Sequence, residues 1–197
     1  MTERRRMYSI LTQKHCSPKE FVDFWSFFYT YSEESLYLTN IALRSFSAED
    51  LRNLFVWKNG MRLSSQKNFA FERKILRNLS KVNELKARFS EDDFNHAFGE
   101  LSTIWKIFLL HCIQPDIYPI FDQHVFRAMQ CIQNKTIAEV AKSEGQKYSQ
   151  YLESYKTFFN DVVHQSGRNG VKVDRALWFF GKSLKQPLIR KILGFAG

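Results

Sequence analysis

Apolar residues in this chain recur at spacings of three and four and almost nowhere at a spacing of two. In the helix predicted after Ser17, this spacing places Phe21, Phe24, Trp25 and Phe28 on one face. Comparable patterns run over positions 146–163 and 173–184. Strict alternation, which is typical of a half-buried strand, is nearly absent. The sequence therefore predicts an all-α protein.

Several helix starts are marked by a serine followed three residues later by an acidic residue. Ser17 precedes a proline and Glu20, Ser47 precedes Asp50, and the same arrangement recurs at positions 90–93. A serine side chain in that position accepts from a free backbone N–H, and the acidic residue reaches back to the serine N–H. Gly60 lies where a left-handed helix end is expected. These signals indicate where three of the helices begin and where one of them ends.

The length of 197 residues suits one sizeable domain or two small lobes. We expect residues 1–197 to form a single compact helical domain, with two helical lobes as the alternative. The charged N-terminus is not followed by an apolar run, so no secretory signal is expected. The apolar stretch 107–113 is too short to span a bilayer. The expectation is a soluble, cytoplasmic protein without a membrane partner.

Three cysteines, Cys16, Cys112 and Cys131, show no spacing that is typical of a zinc or iron–sulfur site. Cys112 and Cys131 stand among apolar residues, which is typical of small core residues. His111 lies on an apolar helix and is interpreted as a core histidine whose ring nitrogens are satisfied. The sequence predicts neither a metal nor a cofactor.

The charge balance is basic. Lys and Arg number 29 against 20 Asp and Glu, which gives a formal net charge of +9. A field of that sign favours polyanions, because cationic side chains release counterions from phosphate backbones. The alternative is a basic protein without a nucleic-acid partner. The charge is compatible with DNA as a partner and does not by itself establish it.

Asp122 lies in the stretch QPDIYPIFDQHVFRAM, which covers positions 114–129. Two prolines precede it and a predicted helix follows it. The two prolines favour an extended connection, and a helix over about 123–133 is predicted to follow. Aspartate at that point is a good helix N-cap. An ordinary helix cap is therefore one interpretation of Asp122.

The segment from Tyr118 to Arg127 also resembles the P-V-D-x-H-V-x-R segment of the helix-hairpin-helix DNA glycosylase superfamily. It is most similar to a divergent branch in which a Y-P-x-x-D segment accompanies an upstream F-W-K-like segment, here positions 56–58. The final helix of that branch resembles positions 173–178 with Gly181 and Lys182. The resemblance implies the compact helical fold of those glycosylases and DNA as the partner.

The resemblance assigns a role to each matching position. Asp122 would stabilise the positive charge that builds on the sugar when the N-glycosidic bond breaks, and it would activate a water. His124 would contact a DNA phosphate at the helix start, and Arg127 a further phosphate. The alternatives are a first-turn surface histidine and a solvated arginine.

Trp57 and Lys58 form a second candidate position. A tryptophan can stack on an extruded base, and a lysine can contact a phosphate. The alternative is a buried tryptophan with a lysine whose stem covers apolar surface at a helix end.

The hairpin departs from the family pattern. The expected Gly-rich turn corresponds to positions 97–103, where Gly99 is the single glycine and Glu100 follows it. The Schiff-base lysine of bifunctional glycosylases would fall near Ser102 or Thr103, neither of which can supply that amine. The resemblance thus implies base removal without strand cleavage, with Gly99 as a phosphate-binding candidate. A catalytically inactive nucleic-acid-binding protein and a helical protein–protein module are the alternatives.

Overall fold

The computed structural model describes residues 16–192, in which all regular secondary structure is helical. The α-helices are α1 (Pro18–Phe27), α2 (Glu34–Ile41), α3 (Ala48–Asn59), α4 (Ser65–Lys74), α5 (Leu79–Ala87), α6 (Glu91–Phe98), α7 (Thr103–Ile113), α8 (Gln123–Ile132), α9 (Glu144–Ser149), α10 (Lys156–Ser166), α11 (Gly170–Ser183) and α12 (Pro187–Ile192). A 3-10 turn (Leu76–Asn78) precedes α5, and a π-helical turn (Gln150–Tyr155) joins α9 to α10. The predicted all-α class is confirmed. The charged N-terminus, residues 1–15, lies outside the described residues.

The helix boundaries follow the local signals. Both capping boxes form, one between Ser17 and Glu20 and the other between Ser47 and Asp50. The third predicted start, before α6, is also capped by its serine side chain. Gly60 ends α3 with a φ of 73°, a left-handed conformation that glycine adopts without steric cost. These predictions are confirmed.

The chain divides into two compact units. Within the described residues, the terminal unit contains 16–30 and 119–192, and the central unit contains 31–118. α1 and α8–α12 belong to the terminal unit, and α2–α7 to the central unit. The single-domain expectation for residues 1–197 stays a prediction.

The terminal unit is organised around α11, against which both α1 and α8 pack. The buried residues of α11 recur at spacings of three and four, as the sequence pattern predicts. Phe180 of α11 meets Phe21 of α1 edge-on, with ring centroids 5.1 Å apart, and its centroid lies 5.0 Å from that of Trp25. Aromatic burial therefore joins α1 to α11.

The contact between α8 and α11 is unusually close at Gly181. A Cβ atom added to Gly181 would lie 1.9 Å from the carbonyl oxygen of His124 and 2.6 Å from its carbonyl carbon. Real Cβ atoms do not approach backbone atoms to such distances, so this helix crossing requires glycine.

The central unit is built from α2 against α3 and from α5 against α6 and α7. Its core contains the rings of Phe55, Phe71 and Phe108. Cys112 of α7 is fully buried, as is Cys131 of α8 in the terminal unit, so their predicted core positions are confirmed. Across residues 16–192, no helix combines the length and apolarity that crossing a bilayer would require.

Replacing Gly181 by alanine should destabilise the protein severely. The added methyl group meets backbone rather than a movable side chain, so we expect a loss of at least about 3 kcal/mol in the free energy of unfolding. Gly145→Ala is the matched control, because a Cβ at that exposed position in α9 has nothing within 4 Å. It should stabilise the protein by up to about 1 kcal/mol. Equal effects of the two substitutions in chemical denaturation would contradict the close crossing.

Candidate functional site

Asp122 is the N-cap of α8. Its Oδ1 accepts from the backbone N–H groups of His124 at 2.7 Å and of Val125 at 3.2 Å. The two residues before it, Ile120 and Phe121, are buried and anchor the connection. The helix-cap interpretation is confirmed. Because two amides hold one carboxylate oxygen, the carboxylate has a fixed direction at the helix start.

His124 is half-buried in the first turn of α8, with its ring edge-on to Trp178 at a centroid distance of 5.4 Å. Burial lowers the pKa of His124, and the Asp122 carboxylate opposes that effect. Nearby positive charges lower the pKa further: these belong to Lys185, Arg127 and Lys182. His124 is therefore an uncharged imidazole at neutral pH within a cationic environment.

Arg127 points into the terminal unit. Its exposed fraction is 6%, and its guanidinium donates to the carbonyl oxygen of Gly181 at 3.1 Å. A second guanidinium nitrogen lies 3.5 Å from the carboxylate of Glu139. The guanidinium thus joins α8 to α11, and its burial gives no support to the phosphate contact that the resemblance implies.

The structure brings residues of α11 close to the first turn of α8 that the sequence analysis did not assign to the site. Asp174, Trp178 and Lys182 follow each other at intervals of four on α11, so they share one face of that helix. The Lys182 amine lies 4.6 Å from the centre of the Trp178 ring, and Trp178 contacts His124. The signal that could have identified them is their four-residue spacing, which falls in positions 173–178 and at Lys182.

Tyr155 of the π-helical turn is also close to this face. It is fully buried, and burial raises its pKa well above the ordinary value, with the carboxylates of Asp174 and Asp122 raising it further. Its ring packs on that of Phe121, with centroids 5.2 Å apart. No sequence signal marks Tyr155, because a π-helical turn has no pattern distinct from that of an α-helix.

A cavity of about 400 Å³ opens beside the same helix. It is lined by Trp25, Phe28, Phe179, Lys182, Ser183, Gln186 and Ile189. Lys182 belongs both to this lining and to the face that carries Trp178. Asp122 is not among the lining residues, so the aromatic cavity is a neighbour of the candidate carboxylate and does not enclose it.

Trp57 and Lys58 lie in the central unit. The exposed fraction of Trp57 is 7%, its indole N–H donates to Glu34 at 3.1 Å, and its ring stacks on Tyr37 at 4.3 Å. The half-buried Lys58 holds its amine 5.8 Å from the centre of the Phe108 ring. The alternative of a buried tryptophan beside a partly covered lysine describes this position, and Trp57 presents little surface on which a base could stack.

Gly99 follows α6 in the central unit, in a right-handed conformation with a φ of −59°. The turn from Gly99 to Ser102, here called the α6–α7 turn, borders a polar cavity of about 320 Å³. Its charged and polar lining comprises Arg73, Lys74, Asn78, His96 and Glu100. The Lys74 amine donates to the Glu100 carbonyl oxygen at 2.8 Å. Cationic side chains from α4 therefore lie beside Gly99.

No family model, curated protein or solved structure matches this chain. The resemblance to the glycosylase superfamily accordingly rests on the residues of the three segments themselves. Within residues 16–192, no group of three or more His, Cys, Asp and Glu side chains could hold a metal ion.

His111 is the core histidine that its apolar helix predicts. Its exposed fraction is 6%, and Nδ1 donates to the Tyr118 carbonyl oxygen at 2.7 Å. Nε2 therefore accepts from the Tyr37 hydroxyl at 2.8 Å when the ring is neutral. Burial lowers the pKa of His111 to about 4.

This histidine should make the central unit sensitive to acid. The folded protein keeps His111 neutral down to about pH 4, whereas the unfolded chain binds a proton below about pH 6.5. Its contribution to stability is complete above about pH 6.5 and is lost as the pH falls towards 4, by about 3 kcal/mol in total.

The measurement is the free energy of unfolding against pH for the wild type, His111→Asn and, as control, His164→Asn at an exposed position. His111→Asn should be less stable at neutral pH and should lose this part of the pH dependence. His164→Asn should keep it. A pH dependence that is identical in all three proteins would contradict the buried neutral imidazole.

Proposed function

We propose that this protein is a DNA glycosylase-like hydrolase that removes a modified base from DNA, with Asp122 as its catalytic carboxylate. The observation that carries the proposal is the fixed carboxylate at the start of α8, beside a histidine surrounded by cationic side chains. One small region thus combines an anionic group with several positive charges. A nucleotide presents the complementary combination, since its sugar becomes positive at C1′ in the transition state while its phosphates stay negative.

The carboxylate supplies the chemistry of the step. Cleavage of an N-glycosidic bond leaves the electron pair with the departing base and a positive charge on the sugar. A preorganised carboxylate stabilises that charge and loses little energy to reorganisation, because two backbone amides already fix its direction. The same group accepts a proton from the water that adds to C1′.

The cationic surroundings suit the phosphates on either side of the sugar. Lys182 and Lys185 are exposed, and their positive charges act on His124 in the first turn of α8. Aromatic rings beside a lysine, as in the cavity lined by Phe28, Phe179 and Lys182, are typical of surfaces on which nucleic-acid bases stack. These features support a nucleic acid as the partner.

Base removal would proceed without strand cleavage. The lyase step needs an amine nucleophile at the position occupied here by Ser102 or Thr103. Thr103 is also buried, with an exposed fraction of 4%. An abasic site should therefore be the final product.

A catalytically inactive nucleic-acid-binding protein is the second candidate. The cations around the α6–α7 turn support it, because Arg73 and Lys74 would bind phosphates whether or not Asp122 takes part in catalysis. The burial of Arg127 and Trp57 also removes two of the contacts implied by the glycosylase resemblance.

Asp122→Asn should abolish base release without unfolding the protein. Asparagine caps a helix as well as aspartate does, so the substitution removes the charge and keeps the cap. We expect the rate of release from duplexes carrying assorted damaged bases to fall by at least about a hundredfold. Chromatography of the freed bases measures the release, and alkali treatment reveals intact strands bearing abasic sites.

Asp116→Asn is the matched control, because Asp116 is an exposed carboxylate in the connection that leads to Asp122. It should release bases at the wild-type rate. If the wild type releases nothing and binds DNA with an affinity that falls steeply with salt, the binding protein is the correct function. An absence of salt-dependent affinity for any nucleic acid would contradict both candidates.

A further inference from the structure

The π-helical turn Gln150–Tyr155 places two tyrosines in the core of the terminal unit. Tyr151 and Tyr155 are both fully buried, with exposed fractions of 0%. Their ring centroids lie 6.4 Å apart, and both rings contact Phe121, the residue before Asp122. π-Helical turns are rare and occur frequently at functional sites.

The two hydroxyl groups differ in their partners. The Tyr151 hydroxyl donates to the carbonyl oxygen of Pro119 at 3.1 Å. The Tyr155 hydroxyl is equally inaccessible and has no hydrogen-bond partner among residues 16–192. The same turn thus holds one satisfied hydroxyl and one unsatisfied hydroxyl, on side chains of identical chemistry.

An unsatisfied buried hydroxyl lowers stability, since it gives up its hydrogen bonds to water without replacement. Phenylalanine would fill the same space without that cost. The contacts of the ligand-free fold therefore do not explain why residue 155 carries a hydroxyl. A hydrogen bond that forms only when the site is occupied would explain it.

The surroundings of Tyr155 contain two candidate acceptors, the carboxylates of Asp174 and Asp122. Besides burial, the negative charges of Asp174 and Asp122 raise the pKa of Tyr155 well above its ordinary value. The hydroxyl consequently keeps its proton at neutral pH, and it can act as a donor. Carboxylates are the strongest acceptors available to a neutral hydroxyl.

We propose that Tyr155 is a positioning residue for Asp122, whose carboxylate accepts a hydrogen bond from the Tyr155 hydroxyl when substrate occupies the site. This role rests on the proposed function of Asp122. The bond would add a third donor to the two backbone amides that already hold Oδ1 of Asp122, so that the direction of the carboxylate is fixed further. The charge of Asp174 supports it by holding the proton on Tyr155.

Other charged and titratable side chains face the region around Tyr155 and Asp122. Within the described residues they are His124 and Arg127 on α8, Asp174 and Lys182 on α11, Lys185 after α11, and Tyr151 on the π-helical turn. All of them are retained in a Tyr155→Phe variant. The difference between this variant and the wild type therefore isolates the hydroxyl.

The test compares binding of the full chain to two duplex DNAs. One carries a pyrrolidine abasic-site analogue, a protonated amine that mimics the positive sugar, and the other carries the neutral tetrahydrofuran analogue. The ratio of the two dissociation constants reports the charge on residue 122. It is measured at neutral pH for the wild type, Asp122→Asn, Tyr155→Phe and Tyr151→Phe.

The wild type should prefer the cationic analogue, whereas Asp122→Asn should bind the two analogues equally. Tyr155→Phe should lower the preference by about tenfold. Tyr151→Phe should keep the wild-type preference, although it removes a satisfied hydrogen bond from the same turn. Thermal unfolding should show Tyr155→Phe at least as stable as the wild type.

Three results would overturn the proposal. A wild type that does not distinguish the two analogues would remove the proposed function and the role of Tyr155 with it. If the wild type prefers the cationic analogue and Tyr155→Phe behaves as Tyr151→Phe does, the role of Tyr155 alone is refuted. A Tyr155→Phe variant that does not fold would show that the hydroxyl has a structural role.

Discussion

The terminal unit depends on the close approach of α11 to the first turn of α8. At Gly181 the two backbones come so near that no side chain fits between them, and Arg127 donates to the carbonyl oxygen of the same glycine. These two contacts fix the start of α8 on α11. Because Asp122 caps that start, the same contacts set the position of its carboxylate. A packing constraint at one glycine thereby places the groups on which the proposed chemistry rests.

The helices were predictable because their signals are local. The serine caps before α1 and α3 act over three residues, and the left-handed turn at Gly60 needs only a glycine after the last helical turn. The apolar spacing also indicated which face of α11 is buried. Two features of the fold were beyond this reasoning. The π-helical turn looks like ordinary helix in sequence, and the need for glycine at 181 arises from a backbone more than fifty positions away in the chain.

The candidate site was predictable only in part. Asp122 and His124 were identified by their place at a helix start, which local sequence determines. Exposure depends on distant neighbours: Arg127 meets Gly181, which the sequence does not indicate, whereas the cover of Trp57 by Tyr37 and Glu34 agrees with one of its two interpretations. Tyr155 and the cationic side chains from α4 beside Gly99 were missed for the same reason. What these cases share is a contact between elements, which no spacing within one helix reveals.

The central claim is that the start of α8 receives a nucleotide whose sugar lies against residue 122. A crystal structure of Asp122→Asn bound to a duplex with a tetrahydrofuran abasic-site analogue tests it most directly. The account predicts the analogue's ring beside Asn at position 122, with a neighbouring phosphate near His124 and Lys182. DNA bound at the α6–α7 turn alone, with the start of α8 free of nucleic acid, would contradict it.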